Sequence, residues 1–91
     1  MYMRVTRGGL DPARAAVYRR AADERLLPAL RALPGFWGVY GGVDAATGAL
    51  CLMTLWETRE QAAAPSILRP LLEALGVGLG TPEVYEVHVH A

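Results

Sequence analysis

Three side chains near the end of the chain could do acid–base or metal chemistry. Glu86, His88 and His90 alternate with valines, so on a β-strand they would project from one side about 6.5–7 Å apart. An unperturbed histidine pKa of about 6.5 suits His88 to deprotonate a phenol or enol, which makes it a candidate general base. The two histidines could also bind a divalent metal, but a closed site needs four ligands and no others are evident, so no metal site is expected.

Aromatic residues around Trp56 could form the wall of a site for a flat molecule. Trp56 ends an apolar run just before a helix start, and its indole N–H could be directed at a carbonyl or an oxygen anion. Phe36, Tyr40 and Thr54 are predicted to share its face of the sheet and to bind the ligand with it. The alternative is that Trp56 is an ordinary core residue whose N–H meets a backbone carbonyl.

The sequence does not indicate a reactive cysteine, a catalytic triad or a phosphate-binding loop. The single cysteine, Cys51, lies in an apolar run and is predicted to be a small buried hydrophobic residue. Two terminal histidines give no reason to expect a Ser/His/Asp or Cys/His arrangement. The glycine-rich stretch at 76–80 follows a helix rather than a strand, so it is predicted to be a connector and not a phosphate-binding loop.

Length and composition limit the possible classes of protein. A chain of 91 residues is the size of one domain, and 53% hydrophobic residues exclude a disordered chain. Basic and acidic residues balance at nine each, so the sequence provides no field for nucleic acid or an anionic membrane. Without an apolar run of about 18 residues or a leader-like start, we expect a single cytoplasmic domain over 1–91.

Local signals predict two strands and a helix in the first half of the chain. Residues 2–6 alternate as a strand that ends at two glycines. Asp11 followed by Pro12 is typical of a helix N-cap and first position, and Pro28 is expected to kink this helix. The face expected to be buried is formed by Ala13, Ala16, Val17 and Ala21. The helix is expected to end at 34–35, before a strand at 36–40.

The second half repeats this order of elements. A five-residue connection at 44–48 leads to a strand at 50–56, which makes a hairpin. Thr58 and Gln61 have the spacing of a capping box, and the helix that follows is expected to be broken by Pro65 and Pro70. A last strand is predicted at 84–90. The order β-α-β-β-α-β predicts an α+β fold, with two helices on one face of a four-stranded antiparallel sheet.

Both faces of the predicted hairpin are apolar. Pairing Val43 with Ala49 divides the large side chains into two sets. One set is Phe36, Tyr40, Leu52, Thr54 and Trp56, and the other is Trp37, Val39, Cys51, Met53 and Leu55. Two helices can cover only one face, and the other would exceed the apolar surface that monomers tolerate. We therefore expect a homodimer joined sheet to sheet, with an interface of about 1,600 Å².

Short motifs add a family resemblance that spans essentially the whole chain. They are Pro34-Gly35-Phe36 at the entry to the second strand, Leu55-Trp56-Glu57-Thr58 at the exit from the third, and the closing Tyr85-Glu86-Val87. With the element order, the chain resembles the dimeric α/β-barrel superfamily, and more narrowly antibiotic-biosynthesis-monooxygenase-like domains. The resemblance implies a ferredoxin-like protomer, a barrel formed by two packed sheets, and a ligand cavity between sheet and helices.

The resemblance also bears on the site. Trp56 occupies the place of a tryptophan that lines the cavity in both the oxygenases and the haem-degrading members. The haem-degrading members also use a histidine after that tryptophan, where this chain reads Ala62-Ala63-Ala64-Pro65-Ser66, and an asparagine on the first strand, a residue this chain lacks. Haem degradation is therefore not expected. The tyrosine and arginine of some oxygenases have no clear counterparts, although Arg69 is nearby.

Two functional hypotheses remain. The first is a cofactor-independent, monooxygenase-like protein that binds a small aromatic or quinone-type molecule, with Trp56 and His88 as catalytic residues. It would desolvate and deprotonate its substrate, which then reduces O₂ directly, so no cofactor is expected. The second is a non-enzymatic homodimeric binding or assembly module whose cavity is filled by its own side chains.

Overall fold

A computed structural model describes residues 1–63 and 68–91 of the chain. The sheet is antiparallel throughout and contains β1 (Tyr2–Gly9), β2 (Phe36–Val43), β3 (Ala49–Trp56), β4 (Gly78–Leu79) and β5 (Glu83–Glu86). Its order is β2-β3-β1, with β4 and β5 both paired to the free side of β1. The predicted α+β, ferredoxin-like order is confirmed, and the sheet of this single chain is not closed.

The last part of the sheet differs from the prediction. The glycine-rich connector contains the short strand β4, which pairs with Gly8 and Gly9. Strand β5 ends at Glu86, which pairs with Tyr2, the first residue of β1. The Val87 N–H still donates to the Met1 carbonyl oxygen at 2.9 Å, and beyond it the chain is not a strand. The predicted strand through residue 90 is therefore wrong.

Residues 12–31 form the first helical segment. It comprises a 3₁₀ turn (Pro12–Arg14), α1 (Ala15–Ala21), a π-helical turn (Ala22–Leu26) and α2 (Leu27–Arg31). Asp11 accepts a hydrogen bond from the Ala13 N–H at 3.0 Å, as an N-cap should. The irregularity expected at Pro28 is the π-helical turn just before it, where the Leu27 N–H reaches back five residues to the Ala22 carbonyl oxygen.

The buried face of this segment is not the one predicted from its alanines. Ala15, Tyr18, Leu26 and Leu30 are buried, whereas Val17 is 61% exposed. The predicted face, Ala13, Ala16, Val17 and Ala21, has only Ala21 partly buried. Tyr18 and the leucines remove far more apolar area from water than alanines do, and their burial determines how the helix is rotated.

The second helical segment consists of α3 (Arg59–Ala63) and α4 (Leu68–Ala74). The predicted capping box is confirmed, because the Thr58 N–H donates to Gln61 Oε1 at 3.0 Å and the Gln61 N–H donates to Thr58 Oγ1 at 3.2 Å. The break predicted at Pro65 lies outside the described residues. No helix in the described part of the chain is long and apolar enough to cross a membrane.

Side chains alternate between two faces along β3, which we call the covered face and the open face. Leu50, Leu52, Thr54 and Trp56 lie on the covered face and are buried against the helical segments. Cys51, Met53 and Leu55 lie on the open face, and Cys51 is exposed rather than buried as predicted. The two-faced apolar pattern therefore holds for β3, with one face packed and the other uncovered in the single chain.

Along β2 the predicted register is wrong by one residue. Val43 pairs with Leu50, not Ala49, and Tyr40 pairs with Met53 on the open face. A β-bulge between Phe36 and Gly38 then returns Phe36 to a position opposite Trp56.

The turn of the hairpin explains this register. The strand bounds leave the predicted five residues, 44–48, between β2 and β3, but the Asp44 N–H also bonds to the Ala49 carbonyl oxygen at 2.8 Å, which brings Asp44 rather than Val43 opposite Ala49. The Asp44 carboxylate accepts from the Ala46 N–H at 2.8 Å, and Gly48 closes the turn with a φ of 80°. Turn geometry of this kind fixes strand register, and a shift of one residue exchanges the two faces of a strand.

Candidate ligand-binding site

A cavity of about 600 Å³ lies between the first helical segment and the covered face of the sheet. This is where the family resemblance implies a ligand cavity. Its surface is divided about evenly between polar and apolar atoms, and its lining residues are Tyr18, Arg19, Ala22, Asp23, Leu26, Leu27, Leu30, Val39, Gly41, Gly42, Val43 and Leu52. The volume falls within the range of roughly 300–1,000 Å³ that is common for small-molecule sites.

The helical wall of the cavity follows a spacing of four residues. Tyr18, Ala22, Leu26 and Leu30 line it in succession, and the π-helical turn provides the middle of the wall. Short π-helical turns of this kind are frequent at functional sites. The missing N–H of Pro28 is the sequence feature that favours the turn, since an α-helical bond to Glu24 cannot form there.

The sheet forms the opposite wall. Val39, Gly41 and Val43 alternate along β2 on the covered face, and Leu52 pairs with Gly41 across the strands. Gly41 has no side chain, so the wall recedes between the two valines. The register of the hairpin therefore determines the shape of the cavity.

The polar groups of the cavity come from the helix. Arg19 and Asp23 line it next to Tyr18 and Ala22, and their side chains are exposed to solvent. Tyr18 is itself buried, and burial raises the pKa of its hydroxyl above the ordinary value. The hydroxyl therefore remains protonated at neutral pH and can act as a hydrogen-bond donor.

Trp56 lies on the covered face but does not line this cavity. Its side chain is 1% exposed, and its indole Nε1–H donates to Thr54 Oγ1 at 2.8 Å. Phe36 packs edge-to-face against it, with ring centroids 5.6 Å apart. The site predicted around Trp56 is thus filled by protein side chains, as in the alternative we considered, except that the acceptor is a hydroxyl and not a backbone carbonyl.

The other predicted site residues are not brought together with Trp56. Tyr40 was expected on its face, but it lies on the open face and is 71% exposed, because the hairpin turn shifts the register. His88 and His90 lie beyond β5 and are exposed. Only Phe36 and Thr54 contact Trp56 as the sequence predicted. The catalytic roles of Trp56 and His88 stay predictions.

The residues that line the cavity are not the ones predicted for the site. Tyr18, Ala22, Leu26 and Leu30 follow a spacing of four that could have revealed the helical wall. Gly41 could not have been found in this way, because its position on the covered face depends on the turn and the bulge. Within residues 1–63 and 68–91, no cluster of three or more His, Cys, Asp or Glu side chains could hold a metal ion.

Comparisons of the sequence with known proteins give no assignment. No protein-family model matches the chain, and no curated protein matches it either.

Solved structures give clear similarities in fold. A Deinococcus radiodurans protein named as a candidate antibiotic biosynthesis monooxygenase has a TM-score of 0.70 and 18% identity, with 100% of this chain and 96% of that chain covered. A Streptomyces coelicolor monooxygenase in complex with the ligand nanaomycin D has a TM-score of 0.68 and 21% identity, covering 99% and 88%.

A third similar structure is SnoaB from Streptomyces nogalater, a cofactor-independent oxygenase. Its TM-score is 0.64 at 17% identity, and the comparison covers 98% of this chain and 94% of that chain. The predicted resemblance to antibiotic-biosynthesis-monooxygenase-like proteins is therefore confirmed at the level of the fold.

Proposed function

We propose that this protein is monooxygenase-like and binds a small aromatic or quinone-type molecule in the cavity between the first helical segment and the sheet. The observation that carries the proposal is the cavity itself, which is about 600 Å³ in volume and is lined largely by leucine, valine and glycine together with a few polar residues. Flat walls of leucine, valine and glycine suit the face of a fused-ring molecule, and a few polar groups can orient its oxygens.

Proteins with the same fold support this choice of ligand. One similar structure contains nanaomycin D, and another similar protein is a cofactor-independent oxygenase. Both likenesses extend over nearly the whole of this chain. They favour a small-molecule site over a macromolecular one.

In its catalytic form, the proposal assigns the protein the task of preparing the substrate for oxygen. Displacement of water from the apolar part of the walls and loss of a proton from a bound phenol or enol would give an electron-rich anion that reduces O₂. One oxygen atom becomes a carbonyl in place of a CH₂ group, and the second leaves as water with the two displaced hydrogens. Trp56 and His88 are the residues that the sequence predicts for this step, with His88 as general base, but neither residue lines the cavity.

A non-enzymatic binding module is the second candidate. It is favoured by the closed surroundings of Trp56, whose N–H already has an acceptor in Thr54 and whose ring is almost completely buried. A tryptophan in that setting packs the core without requiring a substrate. The cavity would then bind an aromatic molecule without converting it.

Oxygen uptake with anthrone, whose CH₂ group can become a carbonyl, separates the two candidates. The wild type is compared with Trp56→Phe and His88→Ala, with Trp37→Phe and His90→Ala as matched controls and a protein-free sample for spontaneous oxidation. Enzymatic uptake that falls at least tenfold in the first pair alone supports catalysis with these roles. Equal uptake in all five proteins removes both residues from the mechanism. Binding without any uptake favours the binding module.

We also propose that the protein is a homodimer joined through the open face. Trp37 is 63% exposed and Tyr40 is 71% exposed, and Tyr85 on β5 is 44% exposed. Tyr85 pairs with Met3 on β1, which places it on the same face as Tyr40 and Met53. Large apolar side chains uncovered over several neighbouring strands are typical of a protein–protein interface.

Sedimentation velocity at micromolar concentration tests the dimer. Tyr40→Glu should convert a dimer of the 9.8 kDa chain into a folded monomer, because it places a charge in an apolar interface. Val17→Glu is the matched control, since Val17 is 61% exposed but lies on a helix away from the sheet. A wild type that sediments as a monomer would contradict the proposal.

A further inference from the structure

We infer that Gly41 and Tyr18 determine which molecules the cavity accepts. Gly41 leaves room for the face of a planar ring, and the Tyr18 hydroxyl donates a hydrogen bond to a ligand oxygen. The class of ligand this selects is a fused-ring ketone, quinone or phenolate with an oxygen at its inner end. The inference rests on the proposed function, because it concerns the same cavity.

The backbone does not require glycine at position 41. Positive φ values among the described residues occur at Gly35, Gly48 and Gly76, and Gly41 is not one of them. A Cβ atom added to Gly41 would meet Leu52 Cδ1 at 3.4 Å, which is ordinary contact. Glycine within a strand costs stability relative to a β-branched residue. The one property that glycine adds here is space, and that space belongs to the cavity.

The neighbours of Gly41 on the same face have large side chains. Val39 and Val43 precede and follow it along β2, and Leu52 is its partner on β3. Across the cavity stands Ala22, the smallest residue of the helical wall. Gly41 on the sheet wall and Ala22 on the helical wall leave space between larger side chains, and this space, which we call the slot, suits the thin dimension of an aromatic ring system.

Tyr18 is a polar residue in the lining of this cavity. The residue is 7% exposed, and its hydroxyl is neither hydrogen-bonded within the described residues nor one of their enclosed, unpaired polar atoms. The hydroxyl is therefore accessible and free to donate to a ligand oxygen. Burial also raises its pKa, which keeps the proton available for donation.

The first test replaces Gly41 with valine. Gly41→Val should weaken binding of 1,4-naphthoquinone by about tenfold or more, measured by NMR titration, because the valine side chain fills the slot. It should also raise the melting temperature by several degrees, since valine suits a strand and packs against Leu52. Gly38→Val is the control, because Gly38 lies opposite Leu55 on the open face and its added Cβ would come no closer than 3.9 Å.

The second test removes the Tyr18 hydroxyl. Tyr18→Phe should weaken 1,4-naphthoquinone by about two- to twelvefold, the range expected for one hydrogen bond. Naphthalene has no oxygen, so its affinity should be unchanged by this substitution. A purely structural role for Tyr18 would change the affinities for both probes equally.

The outcomes distinguish this inference from the proposed function. If the wild type binds neither probe, the proposed function fails and the inference fails with it. If the wild type binds both probes but Gly41→Val and Tyr18→Phe bind them equally well, the inference alone is wrong and the ligand lies elsewhere. Weaker binding by Gly41→Val with a raised melting temperature, together with a loss in Tyr18→Phe confined to 1,4-naphthoquinone, establishes both residues as specificity determinants.

Discussion

The two tryptophans of this chain lie close together in the β2–β3 ladder and have opposite surroundings. Trp56 on the covered face is 1% exposed, whereas Trp37 in the bulge of β2 is 63% exposed. Both occur in apolar, strand-forming sequence. The comparison shows that apolar patterning indicates which residues require burial, while the helical segments determine which of them a single chain can bury. The remainder form a surface that a partner can cover.

The covered and open faces should differ most in the loss of folding stability that follows when each tryptophan is replaced by alanine. Trp56→Ala should lower the free energy of unfolding by about 3–5 kcal/mol, through lost burial and the cavity left behind. Trp37→Ala should change it by about 0.5 kcal/mol or less in the monomer. Urea denaturation at low protein concentration measures both. Similar losses for the two variants would contradict the assignment of the faces.

A smaller effect should follow from breaking the hydrogen bond within the covered face. Thr54→Val retains the shape of the side chain but leaves the Trp56 N–H without its acceptor, which should cost about 1–3 kcal/mol. Adding Trp56→Phe removes the stranded N–H as well. The double variant should therefore lose less than the sum of the two single losses, and strict additivity in urea denaturation would show that the bond contributes nothing.

Loss of the cap at the start of α3 should lower folding stability by a smaller amount. Thr58→Ala removes the hydroxyl that accepts from the Gln61 N–H, and loss of such a cap costs about 1 kcal/mol. Thr81→Ala, at an exposed position, is the control. Thermal denaturation followed by circular dichroism should show a lower melting temperature for Thr58→Ala only.

The smallest effect on folding stability is expected from the protonation of a carboxylate on the open face. Glu83 accepts hydrogen bonds from Tyr85 and Arg7. The pKa of Glu83 is lowered, first by the Tyr85 hydroxyl and then by Arg7. Because the folded-state pKa is the lower one, the stabilisation is present above the unfolded-state value and is lost as pH falls through the folded-state value.

Carbon-detected NMR titration of the Glu83 carboxyl measures this effect directly. The midpoint should lie below the ordinary glutamate value in the wild type and should rise in Tyr85→Phe. Tyr40→Phe is the control on the same face. An unchanged midpoint in Tyr85→Phe would mean that the Tyr85 hydrogen bond does not persist in solution.

Local sequence signals predicted most of the fold. The Asp11 cap, the capping box at Thr58 and the alternation along β3 act within a few residues, and each occurs as expected. The end of β5 was not predictable in this way, because it depends on where β1 begins. The buried face of α1 was mispredicted, because alanine and valine positions were given the weight that belongs to Tyr18.

The site was harder to predict than the fold. Phe36 and Thr54 contact Trp56 as expected. Thr54 lies two residues before Trp56 on the same strand, and Phe36 lies beyond the bulge, where β2 has returned to the predicted register. Tyr40 and Val39 were assigned to the wrong faces. Their positions depend on the bulge and on the hydrogen bond that extends the pairing to Asp44, and neither feature leaves a signal in hydrophobic periodicity.

The turn at 44–48 consequently has influence well beyond its own contacts. If β2 had no bulge and kept the pairing of Phe36 with Trp56, the strand would be shifted by one residue as far as the turn. Tyr40 would then lie on the covered face and Gly41 on the open face. Asp44 and Gly48 hold the turn in its observed form; an added Cβ on Gly48 would come within 1.9 Å of the Leu10 carbonyl oxygen. Substitutions at Asp44 or Gly48 are therefore expected to change the shape of the cavity without altering any residue that lines it.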